Sequence, residues 1–234
     1  MNENYLRFNK LLAILSTKTK NGINISYKNE SLLMKLFGKL LFFNNDFMTN
    51  YTTTIGNTIY FPTRESVEKS SNDDNLVILS HEFVHIKDSE SLGSLAFKSL
   101  YLSPQIFSIL FAIILTVLFK WYIGLFVFLL LLSPIPSFGR KYLELRAYKT
   151  NLYSLVRILQ QQKRPEEVIV SKQAEACSFI NKQFTSFSYY YCWPFGVMSD
   201  LSKTILSINS NEFIKTDDIY TELSEAYDEL YKII

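Results

Sequence analysis

The sequence His81-Glu82-Phe83-Val84-His85 most constrains what this chain can fold into, and it contains the only two histidines in 234 residues. Residues four apart lie on the same face of an α-helix, so both imidazoles can reach one metal ion. Glu82 lies beside them, where a carboxylate can take a proton from an activated water. The pattern predicts a Zn²⁺ site with Glu82 as general base. The alternative is a helix that carries two structural histidines.

A catalytic zinc site needs a third protein ligand and an open position. Glu144 is the best candidate, because it lies in a second predicted helix, at about residues 140–162, and would complete a set of two histidines and one glutamate. Asp88 follows His85 by three residues and can also face the metal. One helix rarely supplies three ligands, so we expect Asp88 to support a ligand from behind or to end the helix.

Residues 47–61 are rich in threonine and isoleucine, which favours strands, and Gly56-Asn57 indicates a turn. We therefore expect a pair of strands directly before the active-site helix. The exposed edge of such a pair can bind an extended peptide through main-chain hydrogen bonds. The predicted substrate-binding residues are Thr54, Ile55, Gly56, Asn57 and Thr58. The alternative is a hairpin that only covers the helix.

Two uncharged, apolar stretches follow, Tyr101 to Phe119 and Trp121 to Pro136, with Lys120 between them. Each approaches the ~20 residues that cross the hydrocarbon core of a membrane, although the second is short. Lys120 and the neighbouring aromatic residues are typical of a turn at the membrane interface. The sequence therefore predicts a transmembrane helical hairpin. A hairpin that dips into one leaflet is the alternative.

The membrane prediction and the ligand prediction constrain each other. His81 and His85 precede the apolar block and Glu144 follows it, so a single crossing would separate the ligands by a core ~30 Å thick. An even number of crossings is therefore expected. Basic residues flank the block on both sides, which predicts an integral protein of the inner or plasma membrane with its active site facing the cytoplasm. The absence of a secretion signal and the unpaired cysteines agree with this location. The flanking residues are Lys87, Lys98, Arg140, Lys141, Arg146 and Lys149.

The remaining features concern partners and rival groups. The net charge of +2 is small and scattered, so nucleic acid is not an expected partner. Instead we expect a protein or peptide substrate and a lipid bilayer, and no pattern predicts an oligomeric state. Leucines around residues 32–41 predict a basic amphipathic helix, which we expect to pack on the core rather than on a membrane surface. The aromatic residues 189–195 can line a specificity pocket or donate a tyrosine hydroxyl to a developing oxyanion, and core packing or an interfacial belt is the favoured alternative. Tyr148 and Arg146 are rival oxyanion donors.

With these motifs in view, residues 45–150 resemble membrane-associated gluzincin peptidases of the HtpX and CAAX prenyl endopeptidase type. The shared features are the strand at residues 53–62, the motif His81–Asp88 and a later Arg140-x-x-x-Glu144-x-x-Ala147 pattern. The resemblance implies zinc at His81, His85 and Glu144, Glu82 as general base, and endopeptidase activity. The family usually has an aspartate where this chain has Tyr148, so support for a histidine ligand must come from elsewhere, and Asp88 is the candidate.

The predicted fold is α+β and mainly helical: a zincin-like catalytic domain with a small sheet before the active-site helix and an inserted transmembrane hairpin. Residues 1–96 form its first part, residues 97–138 the hairpin, and residues 139–234 a helical part with the third ligand. The predicted function is that of a zinc-dependent endopeptidase acting on membrane or membrane-proximal proteins. The alternative is a catalytically silent, membrane-anchored scaffold that binds metal.

Overall fold

A computed structural model describes residues 2–40, 46–70, 72–103, 105–131, 136–185 and 195–232. The chain is mainly helical, with one small sheet and a short 3-10 helix at Phe213–Thr216. The strands are β1 (Asn24–Tyr27), β2 (Thr53–Ile55) and β3 (Thr58–Phe61). The helices are α1 (Glu3–Thr17), α2 (Leu32–Leu40), α3 (Arg64–Glu68), α4 (Asp74–Leu92), α5 (Ser94–Tyr101), α6 (Gln105–Leu118), α7 (Trp121–Leu131), α8 (Phe138–Gln161), α9 (Glu166–Thr185), α10 (Val197–Asn209) and α11 (Asp218–Lys232).

The sheet has the strand order β1-β3-β2, so β2 lies at an edge. β2 and β3 are antiparallel and are joined by a tight turn in which Gly56 has a φ of +62°, a left-handed conformation that glycine adopts without strain. β1 pairs with β3 in parallel, with Ile25 opposite Ile59. The strand pair was predicted and β1 was not, because its short sequence has no clear alternation and its partner lies far along the chain.

Helix α4 runs through the core, which explains why apolar residues surround its histidine motif on most sides. Such a helix is buried on several faces rather than on a single stripe. It packs against α1, α8, α11 and the edge strand β2. The fully buried side chains around it come from α1, β3, α4, α8 and α11, and include Phe8, Leu11, Ile59, Leu79, Phe83, Val84, Leu152, Leu223 and Tyr227.

The predicted transmembrane hairpin is wrong. In the part of the chain that the structure describes, no helix is long and apolar enough to cross a membrane. The uncharged stretch that begins at Tyr101 is not one helix, because α5 ends there and α6 begins only at Gln105. Helices of 14 and 11 residues, α6 and α7, are about 21 and 17 Å long, short of a core ~30 Å thick. Residues 132–135 of the predicted second arm lie outside the described residues.

Helices α6 and α7 form a hairpin whose two arms pack on each other through small residues. A Cβ at Gly124 would overlap the Thr116 hydroxyl, so only glycine permits this approach. Around this contact, most large apolar side chains of both helices are exposed. They include Phe107, Ile109, Leu110, Phe111, Ile113, Ile114, Val117, Leu118, Trp121, Leu125, Phe126 and Leu129.

The apolar face of α2 also differs from the prediction. We expected its leucines to pack on the core, but Leu32 is 84% exposed, and Leu33 and Leu36 are about half exposed. Met34, which the pattern did not single out, is fully buried. A second apolar surface, formed by Leu32, Leu33 and Leu36, is therefore exposed to solvent on α2.

Candidate metal centre

Helix α4 brings its two histidines together as the spacing predicts. His81 and His85 are almost fully buried, and their Nε2 atoms lie 3.1 Å apart. The ring planes stand nearly edge to face, with centroids 4.9 Å apart. Both Nε2 atoms therefore point at one small volume beside the helix.

Glu144 on α8 completes this group. Its Oε2 lies 3.4 Å from His81 Nε2 and 3.8 Å from His85 Nε2, and the residue is only 3% exposed. A tetrahedral ion with ligands at ~2.0–2.1 Å needs its ligand atoms roughly 3.3 Å apart, which these separations approach. Glu144 Oε2 is buried and faces both imidazoles. The buried group His81, His85 and Glu144 can therefore hold a metal ion.

The charges of the three side chains are coupled. Burial by itself raises the pKa of Glu144, but contacts with His81 and His85 outweigh burial and lower it well below its ordinary value. Burial likewise lowers the pKa of His85, while the hydrogen bond and charge of Glu144 outweigh it and raise that pKa to about 9. Glu144 is consequently an ionised carboxylate in the protein interior, which is the state that binds a cation.

Glu82 lies on the same helix, and the edge strand holds it in place. The Thr54 hydroxyl donates a hydrogen bond of 2.7 Å to Glu82 Oε2, and Glu82 is 7% exposed. Thr54 is the central residue of β2, whose outer edge pairs with no strand among the described residues. The predicted general base and the predicted substrate strand are thus in direct contact.

The other predicted substrate-binding residues do not all lie on that edge. Ile55 is in β2, whereas Thr58 belongs to the central strand β3. Gly56 and Asn57 form the turn, and the Asn57 side chain donates to the carbonyl of Asn21 at 3.1 Å. Thr54 and Ile55 are therefore the members of the predicted set that the structure places on the outer strand.

Support for His81 comes from a residue that the sequence did not single out. His81 Nδ1 lies 3.2 Å from Asn151 Oδ1, an acceptor that holds the proton on Nδ1 and leaves Nε2 facing the metal group. Asn151 is seven residues after Glu144, two turns further along the same face of α8. The sequence could have indicated this residue, since a position seven residues after a ligand lies on the same helix face. The group that supports the histidine was expected at position 148, and it lies one helical turn later, at Asn151.

Asp88, the predicted support, instead pairs with Arg146. It is 1% exposed, and burial raises its pKa to about 6 despite that partner. Arg146 also donates to Asp217, with Nε 2.9 Å from Oδ2, so two carboxylates hold it beside α11. Arg146 is therefore committed to fixing α11 against α4 and α8, and it does not join the metal group.

Of the rival oxyanion donors, Tyr148 lies at the site. Its ring stands edge to face with His81 at a centroid distance of 4.7 Å, and Phe184 packs behind it at 5.6 Å. Residues 189–194 of the predicted aromatic cluster lie outside the described residues. The sequence also missed Tyr101, whose hydroxyl donates to Glu144 Oε1.

Comparison of the chain with protein-family models, curated proteins and solved structures gives no match in any of the three. The resemblance to gluzincin peptidases therefore stays a prediction, which rests on the motif residues of the chain.

Proposed function

We propose that the protein is a zinc-dependent endopeptidase. The observation that carries the proposal is the pairing of a buried three-ligand group with Glu82, which an outer strand holds beside it. Two imidazoles and one carboxylate are a donor set that zinc accepts, and three protein ligands are typical of catalytic rather than structural zinc sites. When bound, zinc would lower the pKa of a water and polarise the scissile carbonyl.

Glu82 is the proposed general base and proton carrier. It adjoins His81 on α4, and the 2.7 Å hydrogen bond from Thr54 fixes one carboxylate oxygen. A fixed orientation matters because proton transfer requires the base within hydrogen-bond reach of the proton. In this proposal Glu82 takes the proton of the attacking water and delivers it to the leaving amine.

Strand β2 is the proposed binding site for the peptide. Its outer edge offers main-chain groups with which an extended substrate can extend the sheet by one strand. Because Thr54 belongs to β2 and its hydroxyl contacts Glu82, a peptide beside β2 would be held close to the base. Tyr148 is the proposed donor to the developing oxyanion, since its ring lies against His81.

We also propose a lipid surface as the partner of the α6–α7 hairpin, with substrates in or near that membrane. Exposed apolar patches of this extent are unusual on a protein surrounded by water. Lys120 at the turn lies 5.9 Å above the Tyr122 ring, and an aromatic ring beside a lysine suits the level of lipid headgroups. This proposal does not include helices that cross the membrane. The cytoplasmic side predicted for the active site stays a prediction.

The decisive test is the substitution Glu82→Gln. We expect the purified variant to keep about one zinc per chain, as a three-ligand site implies, and to lose cleavage of unfolded casein. Phenanthroline should abolish cleavage by the unaltered protein. Glu90→Gln, on the same helix, is the control and should leave cleavage intact. Equal rates for Glu82→Gln and the unaltered protein would contradict the mechanism. Zinc binding without any cleavage would favour the silent scaffold.

A further inference from the structure

The carboxylate of Glu144 has two oxygens with different surroundings. Oε2 faces the histidine nitrogens, while Oε1 accepts a hydrogen bond from the Tyr101 hydroxyl. A carboxylate that is free to rotate offers a metal two geometries, and a hydrogen bond to one oxygen removes that choice. Tyr101 thereby determines which oxygen of Glu144 is presented to the metal group.

The Tyr101 ring is itself held on several sides. The Arg140 guanidinium lies 4.5 Å from its centroid, and Phe97 stacks on it at 5.9 Å. The His85 ring stands edge to face with it at 6.1 Å. An aromatic ring with contacts of this kind has little freedom, so its hydroxyl is well suited to orient a neighbouring group.

These contacts lie at the hairpin base, by which we mean Leu100 and Tyr101 at the end of α5 together with Gly139 and Arg140 at the start of α8. The two segments approach so closely that a Cβ at Gly139 would overlap the carbonyl oxygen of Leu100. Tyr101 is the last residue of α5, which precedes α6, and Arg140 lies in the first turn of α8, which follows α7. The ring and the guanidinium therefore connect both ends of the apolar hairpin to a metal ligand.

We propose that Tyr101 is a positioning residue for Glu144, through which the hairpin base sets the affinity of the site for metal. This inference rests on the proposed metal function. It assigns Tyr101 no contact with substrate. Its role is to hold the third ligand, and the position of the hairpin ends determines how well it does so.

The test uses Tyr101→Phe, which removes the hydroxyl and keeps the ring between Arg140 and Phe97. Zinc affinity is measured by competition with a chromophoric chelator. The expected loss is about 10–100-fold, as for other groups that orient a metal ligand. Co²⁺ replaces zinc in a second measurement, and its visible absorption bands should shift, because they report the geometry of the ligands. Tyr142→Phe, an exposed tyrosine on α8, is the control and should change neither.

The outcomes separate the two proposals. If the unaltered protein binds no zinc, the proposed function fails and this inference fails with it. If it binds zinc and Tyr101→Phe binds equally well with the same Co²⁺ spectrum, the function stands and the inference is overturned. Arg140→Gln provides a second variant should Tyr101→Phe not fold. It keeps the hydroxyl but frees the ring, so a smaller loss of affinity supports the inference and an unchanged affinity and spectrum overturn it.

Discussion

Around the metal centre, charged side chains are buried, whereas in the α6–α7 hairpin apolar side chains are exposed. Glu82 and Glu144 are less than 10% exposed, while Phe107 is 61% and Val117 is 78% exposed. Burying an ionised carboxylate costs free energy unless a cation or hydrogen-bond donors compensate it. Exposing apolar surface costs free energy unless another apolar surface covers it. The group His81, His85 and Glu144 could hold such a cation, and the proposed lipid surface would provide such an apolar cover.

The largest effect is expected from removing Glu144, the carboxylate in the proposed metal site. Glu144→Ala should lose most of the bound zinc, because it deletes one of three ligands. Asp88→Ala should lose much less, no more than the ~10–100-fold expected for a group outside the ligand set. Metal content after dialysis and chelator competition measure both. Glu167→Ala, an exposed glutamate on α9, is the control. The assignment of the third ligand is wrong if Asp88→Ala releases the metal and Glu144→Ala retains it.

The apolar region is tested by substituting Phe111 and Phe126 with serine together. Burying a phenylalanine side chain in an apolar phase is worth about 1.5–3 kcal/mol, so losing two should weaken binding to lipid vesicles at least tenfold, since ~1.4 kcal/mol corresponds to a factor of ten. Vesicle flotation provides the measurement. Phe179→Ser is the matched control, because Phe179 is equally exposed but lies on α9. Equal flotation of the double variant and the unaltered protein would argue against lipid as the partner of the hairpin.

A third and smaller effect concerns Lys28, a buried charge that forms no ion pair within the described part of the chain. Its ammonium donates to the carbonyl of Phe47 at 2.6 Å and lies 3.9 Å above the Phe47 ring. Burial lowers its pKa from 10.5 to about 8, while the charge of Glu82 acts in the opposite direction. Lys28 is therefore a buried charge held by a carbonyl oxygen and an aromatic ring.

The lowered pKa has a definite sign. Between pH 8 and pH 10.5 the Lys28 side chain of the unfolded chain holds a proton that the folded protein has released, so the contribution of Lys28 to the free energy of unfolding rises through this window. The rise is at most ~1.4 kcal/mol per pH unit. Below pH 8 the cost of burying the charge is fully present. Lys28→Met should remove the rise, which urea denaturation at several pH values would measure. Lys35→Met, an exposed lysine on α2, should keep it, and parallel profiles for Lys28→Met and the unaltered protein would contradict the assignment.

Local sequence patterns predicted the parts of the site that depend on one element. The spacing of His81 and His85 predicts that their side chains lie close together, because residues four apart share one face of an α-helix. The threonine-rich strand before α4 was likewise predicted from composition and a turn. Glu144 needed the expectation that a second helix supplies the third ligand.

Contacts between distant elements were not accessible in the same way. Nothing local indicates that Asp217 binds Arg146, 71 residues earlier, or that Tyr101 reaches Glu144. The transmembrane prediction failed for a related reason, since it counted apolar residues without knowing where α5 ends and α6 begins. Hydropathy shows how many apolar residues follow one another, but the positions of the helix ends determine the length of each continuous helix.

The contact between Leu100 and Gly139 has a consequence for how such a chain can vary in evolution. The close packing of these two residues fixes the distance between the two ends of the segment that contains α6 and α7. Insertions or deletions within residues 102–137 would change the length of this segment and leave the positions of its two ends beside α4 and α8 unchanged. At position 139, by contrast, any side chain meets the backbone of α5. We expect natural variants to differ in hairpin length and to retain glycine at position 139.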